Sequence, residues 1–182
     1  MIVGFTGRKG SGKDTAAAVF EAHGFVNLKM ADAIKSMLAT LLHFQGVDRG
    51  TIHRMLEGDL KEVPSEFLGN KTPRHAMQTL GTEWGRKLID ENIWVNSFKN
   101  AATRYENVVC SDVRFPNELA AVDVLYRIER EGTQDDAHES EKHIDTLPVD
   151  GQFVNAAPSA EEFQHHIHMM LFECGSTGSS TV

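Results

Sequence analysis

The chain has only two cysteines in 182 residues, Cys110 and Cys174. They have no metal-ligand spacing, and two reduced thiols suit a reducing compartment. Cys110 lies in an apolar stretch and is expected simply to pack. Long apolar runs are also missing: none approaches the roughly 20 residues that span a bilayer. The N-terminus lacks the basic segment and long apolar stretch of a secretory signal. The expectation is a cytoplasmic protein with no membrane partner. Positive charge is scarce, with 18 Lys and Arg against 26 Asp and Glu and a net charge of −8. That argues against broad nucleic-acid binding, which needs a concentrated basic face, but leaves room for a local basic pocket. The nine histidines form no ligand set, and His165, His166 and His168 read as one helical surface. There is no internal repeat. At 41% hydrophobic and 24% charged, the composition is that of an ordinary soluble domain.

Against these absences stands one dense motif, GRKGSGKDT at residues 7–15, directly after the apolar run Ile2–Thr6. A buried strand, a glycine-rich turn and a helix opening at Lys13 make the layout of a phosphate-binding loop. Gly7, Gly10 and Gly12 let the backbone approach a polyphosphate. Successive N–H groups, that of Ser11 among them, then face one concavity at a helix N-terminus. Lys13 would reach the β- and γ-phosphates, so the expected ligand is ATP. The strict pattern has Ser or Thr after the lysine. Here Asp14 stands there and Thr15 follows one place later.

The rest alternates strands and helices. Helices are expected over 13–23 with Gly24 as C-cap, 31–43, a short one at 51–57, 73–90 with Pro73 at N1, 93–104, and from Ser159 as N-cap to Phe172. Strands are expected over 2–6, 25–30, 107–111, 124–128 and 153–154. Such alternation predicts an α/β fold, a parallel sheet with helices on both faces and ligands beyond the carboxyl ends of its strands. Residues 130–146 read as a charged surface loop and the tail from 174 as a flexible end.

Several polar residues follow the strands. Asp112 comes after the strand 107–111, where it would hold Mg²⁺, directly or through water; the bland alternative is a turn cap ahead of Pro116. Asp14 either complements the helix dipole or orients an acceptor phosphate or metal water. Arg114 leaves an extended segment on the same side as Asp112 and suits phosphate, or it pairs with Glu118. Arg74 and Gln78 share a helix face, for phosphate and base edge, or form a solvated face. Trp94 is core or a pocket wall. Arg130 belongs to a segment, with His138, Ser140, Glu141 and Lys142, that reads as a lid over ATP or as a solvated loop.

Five stretches together carry a family resemblance: GRKGSGKDT (7–15), MADAIK (30–35), RHAMQTLGTEWGR (74–86) with ENIWV (91–95), SDVRFPNE (111–118), and VLYRIEREG (124–132) followed by HESE (138–141). The chain resembles the deoxynucleoside monophosphate kinases of bacteriophages and, more distantly, dephospho-coenzyme A kinases. The resemblance implies a three-layer nucleoside-monophosphate-kinase-like fold in one domain, 1–173. Its core would be 1–30, 105–129 and 147–173, its acceptor-binding insert 31–104, its lid 130–146, and 174–182 a tail. It implies ATP as donor, a deoxynucleoside monophosphate as acceptor, and a monomer or homodimer. Lys35, Arg74, Gln78, Trp94, Asp112 and Arg114 would face the acceptor. Asn155, in FVNA (153–156), would lie near the adenine. Lys13, Arg114, Arg130 and Asp112 would be catalytic, with Thr15 and Asp112 toward Mg²⁺. Glu131-Gly132 after Arg130 departs from the arginine-proline-glycine that relatives often show. Two rival readings remain: a dephospho-coenzyme A or other small-metabolite kinase with a hydroxyl acceptor, and a non-catalytic nucleotide-binding regulator.

Overall fold

In the computed structural model, residues 1–133 and 143–173 are described. The lid residues His138, Ser140, Glu141 and Lys142, Cys174 and the tail lie outside them. The chain divides into two compact units, one holding Met1–Lys29 and the chain from Ala101 on, the other Met30–Asn100.

The first unit is built on a five-stranded parallel sheet: β1 (Ile2–Thr6), β2 (Val26–Asn27), β3 (Val108–Cys110), β4 (Val124–Glu129) and β5 (Gly151–Val154). Their spatial order is β2-β3-β1-β4-β5. The register pairs Gly4 with Cys110 on one side and with Leu125 on the other. Alternate side chains go to opposite faces. Val3, Phe5, Val109, Ile128 and Phe153 therefore share one face, where they pack with Ala16, Ala17, Val19 and Phe20 of α1 (Lys13–Ala22) and Phe163 and Ile167 of α6 (Ala160–His168). Ser159 caps α6 by accepting from the Glu162 N–H at 3.2 Å. On the other face Gly4 leaves no slack: a Cβ there would come within 3.0 Å of Leu125 and Val122 and 3.1 Å of Val113.

The onward connection of β1 goes to β2 on one side of the sheet and that of β4 to β5 on the other. Neighbouring strands whose connections part this way open a crevice beyond their carboxyl ends. The glycine-rich loop lies there because it follows β1.

The second unit is helical: α2 (Asp32–Phe44), α3 (Arg49–Leu56), α4 (Pro73–Gln78) and most of α5 (Ile93–Ala102). Leu38, Leu42, Val47, Ile52, Met55 and Leu56 form its core. Asp48 caps α3 through the Thr51 N–H, and Thr72 caps α4 through that of His75.

Three expectations need adjusting. The strand expected over 25–30 is only Val26–Asn27, since Phe25 bonds back to Phe20 and pairing ends once Leu28 has bonded to Val109. The helix from Pro73 does reach Ile89, but its last eleven residues, Thr79–Ile89, are wound as a π-helix. The cause lies in its glycines. The Trp94 ring sits where a Cβ on Gly85 would be only 2.4 Å away, and its indole N–H donates to the Gly81 carbonyl at 2.7 Å. A side chain that takes a helix carbonyl disturbs the regular ladder. The charged stretch 130–146 is not wholly a solvated loop either. Ile144 is 1% exposed, and Arg127 donates to the carbonyls of Ile144 and Leu147 at 3.1 and 2.7 Å.

Candidate active site

The loop after β1 is closed by the packing around it. Ser11 N–H donates to the Arg8 carbonyl at 3.1 Å, and α1 begins with Ala16 N–H on Gly12 at 2.9 Å. Gly7 (φ +143°) has no room for a side chain, since a Cβ would lie 2.2 Å from the Ile128 carbonyl oxygen. Gly12, at φ +107°, has no room either, since a Cβ there would lie 2.6 Å from Asn155 Nδ2. Asn155 is 6% exposed and its amide donates to the Ser11 carbonyl at 2.9 Å, which clasps β5's end to the loop. No side-chain hydrogen bond caps α1 at Gly12, and a helix N-terminus is where an anion is favoured.

Lys13 is 8% exposed, with its ammonium donating to the carbonyls of Gly7 and Arg8 at 2.6 Å each. The charge is thus held over the loop rather than swinging in solvent. The Ser11 hydroxyl is fully buried and has no hydrogen-bond partner among the described residues. A buried polar atom without a partner is costly. Gly10, Gly12, Lys13, Asp14, Thr15, Arg130 and Asn155 line one cleft of about 290 Å³, with Pro158 and Ser159 on its other wall. Six of the residues expected on the ATP side thus line one cleft together with Arg130, whereas Gly7 and Ser11 do not line it.

Asp14 accepts from Ser111 Oγ and from Lys29 Nζ, both at 2.7 Å. Burial pushes its pKa up, but Lys29, Ser111 and then Lys13 outweigh that, and the carboxyl is held below its ordinary value. Asp112 is half-buried and accepts from the Cys110 thiol at 3.2 Å. Burial, and then the Asp112 charge, push that thiol well above its usual range, so Cys110 is an inert core residue. Arg114 is half-buried, with its backbone N–H held by Glu118 at 2.7 Å. Glu118 is itself 2% exposed and also accepts from the Phe115 N–H at 3.1 Å.

Of the acceptor-side residues of the second unit, Lys35, Arg74 and Trp94 are engaged within it. Lys35 pairs with Glu57 at 2.6 Å and lies 3.8 Å from Asp32. It lines a groove of about 550 Å³ between α2 and α3 that Arg74 and Gln78 do not line. Arg74 pairs with Glu62, Gln78 is half-buried on α4, and Trp94 is 4% exposed. Trp94 is thus an anchor for the π-helix.

Sequence reasoning gave no role to Ser111 or Lys29, and offered Glu118 only as a surface partner of Arg114. The strand-end position of Ser111, one residue before Asp112, was a usable signal, and so was Glu118 at the third helical position after Phe115. Lys29 carried no signal, because its place beside Asp14 depends on where β2 ends. Among the described residues no three or more His, Cys, Asp or Glu gather as a metal cage, and no helix is long and apolar enough to cross a membrane.

No protein-family model matches the chain. A mimivirus protein (Acanthamoeba polyphaga mimivirus) named "Putative deoxynucleotide monophosphate kinase" is 31% identical over 168 residues, 81% of this chain and 83% of that one. The chain belongs to the deoxynucleotide monophosphate kinase family. It is accordingly a phosphotransferase, built on a parallel α/β sheet. A second family relative, the deoxynucleoside-5'-monophosphate kinase of Escherichia phage T5, is 29% identical over 94 residues, 50% of this chain but 30% of that longer protein. Two solved structures are similar at 13% identity. TT1252 from Thermus thermophilus has a TM-score of 0.47 over 93% of this chain and 96% of that one. Shikimate kinase from Aquifex aeolicus has a TM-score of 0.46 over 98% and 100%.

Proposed function

We propose that the protein transfers the γ-phosphoryl group of ATP to a deoxynucleoside monophosphate, giving the diphosphate and ADP. The observation that carries this reading is the closed loop 7–15, with Lys13 pinned above it and a cleft opening from it. Family membership supports the acceptor class.

In this reading the triphosphate lies along the loop, with its oxygens on the N–H groups of the first turn of α1 and on Ser11. The base extends past Asn155 toward Pro158. Lys13 and Arg130 neutralise charge on the phosphates. Arg114 holds the acceptor phosphate, its planar fork matching two oxygens. Lys35, Arg74 and Gln78 of the second unit serve the acceptor, Lys35 and Arg74 exchanging Glu57 and Glu62 for it, while the buried Trp94 holds the π-helix. A phosphate monoester has a second pKa of about 6, so the acceptor is mostly dianionic near pH 7 and needs no general base. Its oxygen attacks the γ-phosphorus in line, the bond to the β-γ bridging oxygen breaks, and ADP leaves.

The donor set suits Mg²⁺, a hard cation that takes oxygen ligands and is held by one or two carboxylates together with substrate phosphates. Asp112, Thr15 and Asp14 offer such oxygens. Bound there, it would neutralise phosphate charge.

The test is a coupled ADP-release assay against the four deoxynucleoside monophosphates, their ribose counterparts and dephospho-coenzyme A. Turnover with one or more deoxynucleotides supports the proposal and sets its base range. Turnover with dephospho-coenzyme A alone would move the acceptor, and no turnover with any acceptor would refute the catalytic reading.

A further inference from the structure

Asp14 stands where a strict phosphate loop carries its metal-binding hydroxyl. Two donors from other parts of the first unit converge on a single oxygen of its carboxylate, Oδ1. Ser111 Oγ reaches it from the end of β3 at 2.7 Å, and Lys29 Nζ from the segment after β2 at 2.7 Å. Ser111 is 2% exposed, so its hydroxyl has little freedom to turn elsewhere, whereas the Asp14 side chain is 76% exposed and lines the cleft with Lys13 and Thr15.

We infer that Ser111 is a positioning residue that orients the Asp14 carboxylate as the loop's ligand for nucleotide-bound Mg²⁺, in place of the displaced hydroxyl. The inference rests on the phosphate-loop reading above. A carboxylate has about four lone-pair sites on two oxygens. With both observed bonds on Oδ1, the carboxylate is fixed and Oδ2 keeps its lone pairs for a cation or its water. An exposed ion pair such as Lys29–Asp14 contributes little to stability. Orientation and charge balance are the effects left to this arrangement. Ser111 precedes Asp112, so one strand end supplies both a candidate metal carboxylate and the hydroxyl that aligns the other.

The test uses the full chain saturated with a non-hydrolysable ATP analogue and titrated with Mn²⁺, bound cation being read by electron paramagnetic resonance. Nucleotide affinity is measured separately in EDTA. Loss of a partner that orients a metal ligand weakens metal binding about 10–100-fold, and that is the effect expected of Ser111→Ala. Nucleotide affinity in EDTA should stay within about twofold, because the hydroxyl acts through Asp14 and not on the phosphates. Ser111→Thr, which keeps the hydroxyl, should restore cation binding. Asp14→Asn, a change at an exposed side chain that the fold tolerates, should weaken it at least as much as Ser111→Ala. Parental cation affinity in Ser111→Ala or in Asp14→Asn would overturn the inference and leave the phosphate loop standing. A parent chain that binds no nucleotide even in EDTA would overturn both.

Discussion

Replacing Gly12 by Ala tests the loop and the core together, because the two meet at this residue. Gly12 has φ +107° and ψ +17°, a conformation that L side chains rarely adopt, and holding alanine there costs about 1–3 kcal/mol. The new Cβ would lie 2.6 Å from Asn155 Nδ2 and 3.2 Å from the Phe163 ring. Phe163 is 1% exposed and packed within the core, so it cannot retreat. Asn155 must move instead, losing its 2.9 Å bond to the Ser11 carbonyl. A buried hydrogen bond broken in this way costs about 1–3 kcal/mol more. The sum is about 2–6 kcal/mol, and for a chain of this size each kcal/mol lowers Tm by roughly 2–4 °C. Thermal unfolding by circular dichroism should therefore fall by about 8–16 °C for a mid-range loss of about 4 kcal/mol. Calorimetric ATP binding should weaken with it, since the loop is displaced. In an Asn155→Ala background the same substitution should cost less, because one of its two clashes is gone. A Gly12→Ala chain with Tm within about 2 °C of the parent and unchanged ATP affinity would refute this account of how the loop is held.

Lys13→Ala should lower turnover by orders of magnitude with little change in Tm; near-parental turnover would remove the lysine from phosphate chemistry. Arg74→Ala should raise the acceptor's KM more than that of ATP, and equal effects would take Arg74 out of the acceptor site. Trp94→Phe keeps the ring packing but leaves the Gly81 carbonyl without its 2.7 Å donor. It should cost about 1–3 kcal/mol in denaturant unfolding, and no change would mean that the indole bond does not hold the π-helix. Lys29→Met should raise the Asp14 pKa, read by carboxyl-carbon NMR titration, because burial alone pushes that pKa up. The sign follows: the Asp14 carboxyl is depressed in the folded chain, so its contribution is present above the ordinary 3.8 and lost as pH falls through the lower folded value. Without Lys29 that loss should begin at a higher pH, and an unshifted titration would rule out Lys29 as the partner.

What could be read from the sequence were the features with short range. The run Ile2–Thr6, the glycines and Lys13 specify a strand, a turn and a helix N-terminus within fifteen residues, and each takes that conformation for reasons contained in those residues. The caps Ser159 and Thr72 could be read or inferred from their neighbours in the same way. The π-winding of Thr79–Ile89 could not, because it depends on a tryptophan that enters from the next helix. Nor could the buried end of the charged segment. Ile144 there has no apolar rhythm around it, and its burial comes from Arg127, one strand away, gripping the carbonyls beside it.

The candidate site divides along the same line. The sequence by itself determined that a glycine-rich turn joins a strand to a helix N-terminus, that an acidic residue follows a later strand, and that Asp14 stands directly after Lys13, because these are matters of residue type and local order. Only the tertiary structure decided that β3 lies beside β1, and so that Ser111, 97 positions away, reaches Asp14. It likewise decided that Asn155, 144 positions away, closes the loop at Ser11. Hydrogen bonds act over about 3 Å, and the partners at that range are chosen by strand order, which no local pattern encodes.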